Sequence, residues 1–512
     1  MNAKTGADHS ELSAKKKKQL FVACFVALMA TSFAFMVRAM LISTWGEEFN
    51  LSNTQLGEIM GVGLWPFALS IVLLSLIIDR IGYGKAMIGA FILHVASTII
   101  LMMANGYWML YLGTFILALG NGTVEGTINP LVASMFPREK AKWLTILHAG
   151  WPGGMIIGGI LGMALGEGTN WQYKVALTLL PIIAYGIMMI PKKFPVHERV
   201  LAGIPYKEML REAGAIGALV IVALLVFQIG NFFEASLVVN LVIIGIIVGT
   251  FGFYTRSWGQ PLFIFLLIIM FPLATTELAT DSWLVDLMSS ELGALGLQAG
   301  WILVYTAAIM TIFRFIGGPL IRFFTPVGLL MLCSVVAAGG LFFLSIATTA
   351  LLIVIAATVY SFGKSYFYPT MLGIVGEQFP KGGALTINIT LGVGLLCAGI
   401  VGSVFLGYVQ DKSIDQELGQ YDRIHDTSLY EKYITLDKKS ILGNYRAIDM
   451  NALKNAPEAD KEVLSTIQLD AKKRALRSVA VLPLVMFVCY VILFFYFRAK
   501  GGYRPVIIEK RE

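Results

Sequence analysis

Apolar residues run along this chain in long stretches separated by short polar segments, and the pattern repeats from one end to the other. A helix needs about 20 predominantly apolar residues to cross a bilayer, and roughly fourteen stretches meet that length. The first six centre near 19–45, 56–78, 85–104, 107–135, 142–167 and 173–191, and two more lie near 213–233 and 236–254. The last six lie near 260–287, 297–320, 326–347, 350–376, 383–408 and 478–498. The expected class is therefore an all-α integral membrane protein read as six, two and six.

Polar punctuation divides the chain further. Residues 1–18 are expected to form an N-terminal tail, 19–191 a first six-helix bundle, 192–212 a charged linker, and 213–254 an inserted transmembrane hairpin. Residues 260–498 make the second bundle, with a loop over 411–477, and 499–512 a C-terminal tail. The first span follows Lys15, Lys16, Lys17 and Lys18, is too long for a signal-peptide core and lacks a small-residue cleavage site.

Arg80, Lys85, Arg138, Lys140, Lys142, Arg256, Arg322 and Lys381 all fall on one side of this arrangement. By the positive-inside rule that side, with both termini, is cytoplasmic, as in a multi-pass protein of a bacterial inner membrane. The loop 411–477 falls outside and carries both signs of charge; its stretch 459–477 reads either as an amphipathic helix on the membrane or as a solvated connector.

Composition narrows the function. Hydrophobic residues make up 57% of the 512 and charged residues 14%, against about 25% charged in soluble domains. The formal charge of +7 is spread over short loops, which fits membrane topology and not a nucleic-acid partner. The four cysteines, Cys24, Cys333, Cys397 and Cys489, have no metal-ligand spacing, and five scattered histidines leave little room for a catalytic constellation. With no nucleotide-binding loop in the sequence, neither an enzyme nor an ATP-driven pump is expected, and no cofactor or metal. The expected partners are a small-molecule substrate, protons and the bilayer, with the chain acting as a monomer.

The two halves share a local pattern. Met135-Phe136-Pro137-Arg138-Glu139-Lys140-Ala141 and Gln378-Phe379-Pro380-Lys381-Gly382-Gly383-Ala384 each precede a Gly-rich helix, and internal duplication is common in transporters that rock between two states. Between the second and third spans, Asp79, Arg80, Gly82 and Lys85 match the loop pattern of the major facilitator superfamily, which the chain resembles; Ser75 and Tyr83-Gly84 depart from it. The resemblance implies two six-helix bundles working by alternating access, with this loop acting as a cytoplasmic lock.

Three further segments are similar to the fucose/glucose/galactose permease family: Gly122 to Pro130 around Glu125 and Asn129, Thr276 to Leu284 around Glu277, and Ser365 to Thr370. Thr276 and Asp281 stand where that family has glycine. This likeness implies proton-coupled import of a sugar or related polyhydroxylated solute. Phe35 to Arg38, with Trp143 and His148 to Gly150, is similar instead to organic-anion and organophosphate porters. A 14-helix drug exporter also fits the helix count.

An ionisable group in hydrocarbon costs about 2.5–3.5 kcal/mol, so each one should face a cavity or a partner. Glu125 and Lys364 lie ~15–20 Å from the cytoplasmic ends of their helices, near the midplane. Asn129, four residues after Glu125, shares its face. Glu125 is the expected proton-coupling residue, with Glu277 a second; the alternative is a permanent packing bridge from Glu125 to Lys364 or Arg38. Arg38 and the acids of the seventh conventional helix, Glu277 and Asp281, are candidates for a gate or charge pair, although Arg38 could instead contact an anionic substrate. Arg314 reads as low in its helix, and two acids facing one arginine favour a neutral substrate. Asn129, His148, Trp151, Lys364, Tyr368 and Asn388 complete the expected substrate site, with amides for hydroxyls and aromatic faces for a sugar ring.

Overall fold

The computed structural model describes residues 13–49, 59, 62–166, 168–189, 194–196, 198–296, 301–434, 436–440, 443–449, 452–453 and 455–507. The tail before Ser13, the linker residues Lys192 and Lys193, and 50–58, 60 and 61 at the entry to the second expected span lie outside the described residues.

The first set of helices is α1 (Ala14–Glu48), α2 (Trp65–Ile81), α3 (Tyr83–Met102), α4 (Tyr107–Met135), α5 (Lys140–His148) continued by α6 (Gly150–Ala164), and α7 (Trp171–Ala176) continued by α8 (Leu179–Met189). The short α9 (Glu198–Leu201) precedes α10 (Tyr206–Phe232) and α11 (Leu237–Thr255). The second set opens with α12 (Pro261–Ala274), a π-helical turn (Thr275–Ala279), α13 (Thr280–Leu287) and α14 (Ser289–Ala294). It continues with α15 (Trp301–Leu344), α16 (Ala350–Lys364), α17 (Phe367–Gln378) and α18 (Gly383–Leu396), a second π-helical turn (Cys397–Gly402), and α19 (Ser403–His425). After α20 (Leu429–Tyr433) and a hairpin of β1 (Leu436–Ser440) and β2 (Gly443–Ala447), α21 (Glu458–Ala499) closes the fold.

Local sequence explains many of the ends. Pro66 and Pro261 occupy the first turns of α2 and α12, where a missing N–H costs nothing. Ser236 and Thr349 accept from the backbone N–H groups of Val239 and Leu352 and so cap α11 and α16. Two spans are fused in α15, which bends where Thr325 adopts φ 61°. Counting them separately gives the six, two, six arrangement of an all-α membrane protein.

The hairpin α10–α11 leaves and re-enters the bundle at one point. Ala215 N–H donates to Ser257 O (2.9 Å), Ile216 N–H to Trp258 O (3.2 Å) and Gln260 N–H to Glu212 O (3.1 Å). Gly214 makes this closure possible, because φ is 59° there and a methyl group would strike the Gly259 backbone. The first helix packs inward: Met209, Leu210, Ala213 and Ile221 are buried. The second helix turns Leu237, Val238, Leu241, Val242 and Ile246 outward, as a lipid-facing helix should. The insertion is closed at its base by these bonds, and its first helix also packs on the second set of helices, with Ile221 beside Gly392.

The polar segment after α18 is neither an amphipathic surface helix nor a loose connector. Helix α21 runs 42 residues without a break, ~63 Å at 1.5 Å per residue, about twice the hydrocarbon thickness. Its first turns and the end of α19 project together and enclose a small core of Leu418, Tyr433, Ile434, Leu464 and Ala471. Asp422 accepts from the N–H groups of Leu429 (3.1 Å) and Tyr430 (2.7 Å), and Arg474 pairs with Glu417 at 2.7 Å. We call this region the cap, and the opposite end of the molecule the termini end.

Candidate functional site

Glycines bring α4 against α2. A methyl group at Gly122 would meet the Phe67 carbonyl and Ser70, so the close approach fixes the face on which Glu125 lies. Pro130, one turn further, has no N–H to give the carbonyl of Gly126. That carbonyl is taken instead by Asn388 Nδ2 of α18, at 2.9 Å. Asn388, expected as a substrate ligand, therefore ties the two halves together at the proline of α4.

A cavity opens beside this tie, lined by Glu125, His148, Trp151, Glu277, Leu278, Arg314, Tyr368, Leu391 and Leu395. Among its lining residues is Arg314, 2% exposed, with three of its five N–H groups bonded. Its Nε donates to Ser365 O (2.7 Å), Nη1 to His148 O (2.8 Å) and Nη2 to Glu277 Oε1 (2.7 Å). The two carbonyls belong to the breaks between α16 and α17 and between α5 and α6, where helical bonding is interrupted. One guanidinium thus bonds an N-terminal helix break, a C-terminal helix break and a carboxylate, a use of its planar fork that lysine cannot reproduce.

Glu277 sits in the π-helical turn, where the wider winding re-aims the side chain. Its Oε2 also accepts from Tyr368 N–H at 3.3 Å, and Tyr360 Oη donates to the neighbouring Thr276 carbonyl at 2.7 Å. Tyr368 donates its hydroxyl to Leu391 O at 2.7 Å. Asn129 Oδ1 accepts from His148 Nε2–H at 3.0 Å, since an amide oxygen has no proton to give. Among the described residues Asn388 Oδ1 has no hydrogen-bond partner. Trp151 stands between Phe35 and Phe67, with ring centroids 6.3 Å and 6.4 Å away.

The charge pairs differ from those expected. Asp281 pairs with Lys364, which also lies over the Tyr360 ring at 4.7 Å; it does not pair with Arg38. Glu277 is ion-paired with Arg314 and is not Arg38's partner. Lys364 is wholly buried in that C-terminal pair and does not line the cavity. Glu125, 3% exposed, has no ion-pair partner among the described residues, so neither Lys364 nor Arg38 bridges to it. Sequence reading missed Arg314 because it ended that span at 320. The helix runs on to the bend at Thr325, which puts Arg314 ~16 Å inside it.

At the termini end, Asp79 pairs with Arg199 of α9, whose Nη1 also donates to Ile204 O at 2.6 Å. Arg80 lies over the Tyr206 ring at 5.5 Å, Gly82 turns the chain with φ 79°, and Lys85 is exposed. These residues hold the N-terminal half to the linker and do not themselves bridge the halves. The bridge is elsewhere. Lys140 Nζ donates to Gly376 O (2.8 Å) and Ala141 N–H to Glu377 Oε1 (3.1 Å). The other oxygen of Glu377 accepts from Tyr503 Oη (2.6 Å) of the C-terminal tail, and Val506 N–H donates to Glu377 O (2.8 Å). The first of the repeated Phe-Pro segments supplies one side of this clamp, and Gly376 and Glu377, just before the second, supply the other.

A model of the Major Facilitator Superfamily matches residues 20–283, just over half of the chain. The chain belongs to the Major Facilitator Superfamily. The resemblance read from Asp79, Arg80, Gly82 and Lys85 is borne out, and the protein is a multi-pass membrane transporter of a small molecule, not an enzyme. A gentisate transporter of Corynebacterium glutamicum is 25% identical over 170 residues, 32% of this chain, and the match spans only 38% of that relative's length. Among solved structures, the Escherichia coli fucose:proton symporter superposes with a TM-score of 0.57 at 14% identity, covering 93% of this chain and 99% of the other. A human organic anion transporter gives 0.60 at 11% identity over the same shares, 93% and 99%. At these identities the likeness is one of fold.

Proposed function

We propose that this major facilitator protein imports a neutral, polyhydroxylated solute, sugar-like in its chemistry, together with protons by alternating access. The observation that carries the proposal is Glu125. It is the one carboxylate lining the cavity that lacks an ion pair among the described residues, since Glu277 is neutralised by Arg314. A buried acid without a fixed cation can change its charge during the cycle, whereas a buried ion pair resists such change.

The lining favours a neutral solute. Arg314 is already charge-paired with Glu277 and also held by two carbonyls, so it is not a free cation for a substrate carboxylate. Trp151 and Tyr368, which line the cavity, offer ring faces for a sugar-like solute. In this reading the bundles 19–191 and 260–498 rock about the Arg314 hub, 192–212 serves as the linker, and 213–254 is an accessory hairpin. The positive-inside distribution supports cytoplasmic termini in a bacterial inner membrane, and the chain works as a monomer.

A second reading is transport of an organic anion, favoured by the gentisate relative and by the buried Arg38. Uptake of labelled sugars and aromatic acids into proteoliposomes separates the two. Saturable uptake of a neutral sugar, uncompeted by gentisate, is the expected result; saturable uptake of acids alone would replace it with the anion reading.

A further inference from the structure

Two buried histidines of the first bundle are held alike on one side and differently on the other. His94 of α3 bonds Asn121 Oδ1 of α4 through Nε2 at 3.0 Å, and its Nδ1 meets Tyr185 Oη of α8 at 3.0 Å. His148, at the end of α5, bonds Asn129 Oδ1 of the same α4 through Nε2, also at 3.0 Å. An amide oxygen has no proton to give, so both rings carry hydrogen on Nε2 and leave Nδ1 as an acceptor in the neutral form. At His94 that acceptor is filled by the phenol of Tyr185. At His148 no described residue bonds Nδ1, and the nitrogen is not sealed in the interior: it opens on the cavity that His148 lines.

The neighbours fix this polarity. Asn129 lies one turn after Glu125 on α4 and engages its carboxyl. A carboxylate takes N–H groups, so the amide turns Nδ2 to Glu125 and Oδ1 to the ring. The charged groups that line the cavity with His148 are Glu125, Glu277 and Arg314. Glu277 is paired with Arg314, and Arg314 Nη1 is bonded to the main-chain carbonyl of His148 itself. With a cation already against its backbone, and no acid ion-paired with it among the described residues, the imidazole is neutral.

Hydrogen bonds therefore run one way, from the ring to Asn129 to Glu125, and the chain ends in the cavity at a vacant acceptor. In the same bundle a hydroxyl fills the equivalent position. We propose that His148 Nδ1 accepts a hydrogen bond from a hydroxyl of the transported solute, and that Asn129 is a positioning residue which holds the tautomer, not a solute ligand. The proposal rests on the cavity being the solute site. It makes His148 a specificity residue, because a hydroxyl fits at this point, whereas an ether or carboxylate oxygen would face the Nδ1 lone pair.

The first test needs no solute. Purified full-length protein carrying isotope-labelled histidine is read by nitrogen NMR at neutral pH, with His148 identified by its loss in His148→Leu. The wild-type ring is expected to be neutral and protonated on Nε2 alone, and Asn129→Leu to give a mixture of tautomers. Protonation on Nδ1, or on both nitrogens, in wild type overturns the proposal whatever the protein transports, and needs no variant of Asn129 to fold. The second test is uptake into proteoliposomes of L-fucose, D-glucose and gentisate, each competed by its mono-O-methyl derivatives. For the compound taken up, capping one hydroxyl should weaken competition about tenfold in wild type and make little difference in His148→Leu. Equal competition by every capped derivative in wild type overturns the proposal, as does the same loss in His148→Leu. Uptake of gentisate alone would replace the neutral-solute reading and leave this inference standing, with a phenol as the donor.

Discussion

At the scale of single residues, the central cavity is organised by what Arg314 has already bonded. Three acceptors surround its guanidinium, and two are carbonyls released where helices break. Removing one member of a buried pair should cost about 3–5 kcal/mol, while replacing both with apolar residues costs less. Arg314→Met is thus expected to lower thermal stability in detergent sharply, and adding Glu277→Leu should restore part of the loss. Additive losses would contradict the pairing. Glu125 was legible in the sequence because helix counting places it near the midplane, and Asn129 because it follows one turn later on the same helix; His148 and Trp151 were read from residue type, and with Glu125 they line the cavity. Arg314 was not legible, since its depth depends on where its span ends, and Arg322 marks an end near 320 although the helix continues to the bend at Thr325.

At the scale of elements, Pro130 and Asn388 explain each other. The proline withholds an N–H from Gly126 O, and the asparagine supplies one from the opposite half. Asn388→Ala should lower stability by about 1 kcal/mol, and Pro130→Ala in that background should recover part of it by restoring the helical bond. An unchanged double mutant would show that the tie is incidental. The spans themselves were readable from apolar length, and so was the inserted hairpin. The π-helical turn that carries Glu277 was not, because one extra residue per turn leaves no mark on an apolar pattern. Nor was the cap: residues 411–477 mix both charges, and their core residues are too thinly spread to stand out. Leu464→Ala, wholly buried there, should cost about 2–5 kcal/mol locally and expose residues 426–457 to limited proteolysis while leaving the spans protected. Cleavage no faster than wild type would argue against an independent cap core.

At the scale of the whole molecule, the conformation is closed at the termini end. Glu377 meets the N-terminal half through Ala141 and the C-terminal tail through Tyr503, so a single carboxylate joins three parts of the chain. Opening this end must break that junction. Spin labels at Arg138→Cys and Lys381→Cys, both exposed and on opposite halves, should report longer distances when residues 501–512 are deleted or Tyr503 becomes Phe. Distances unchanged by either alteration would mean that the tail rides on the clamp without holding it.

The central claim is that Glu125 carries the coupled proton, and it is tested most directly by solute uptake into proteoliposomes with an inward proton gradient, comparing wild type with Glu125→Gln. The account predicts gradient-driven accumulation in wild type, and in the variant its loss with solute exchange retained, because a permanently neutral side chain can pass through the cycle without a proton. Gradient-driven accumulation that survives in Glu125→Gln would contradict it.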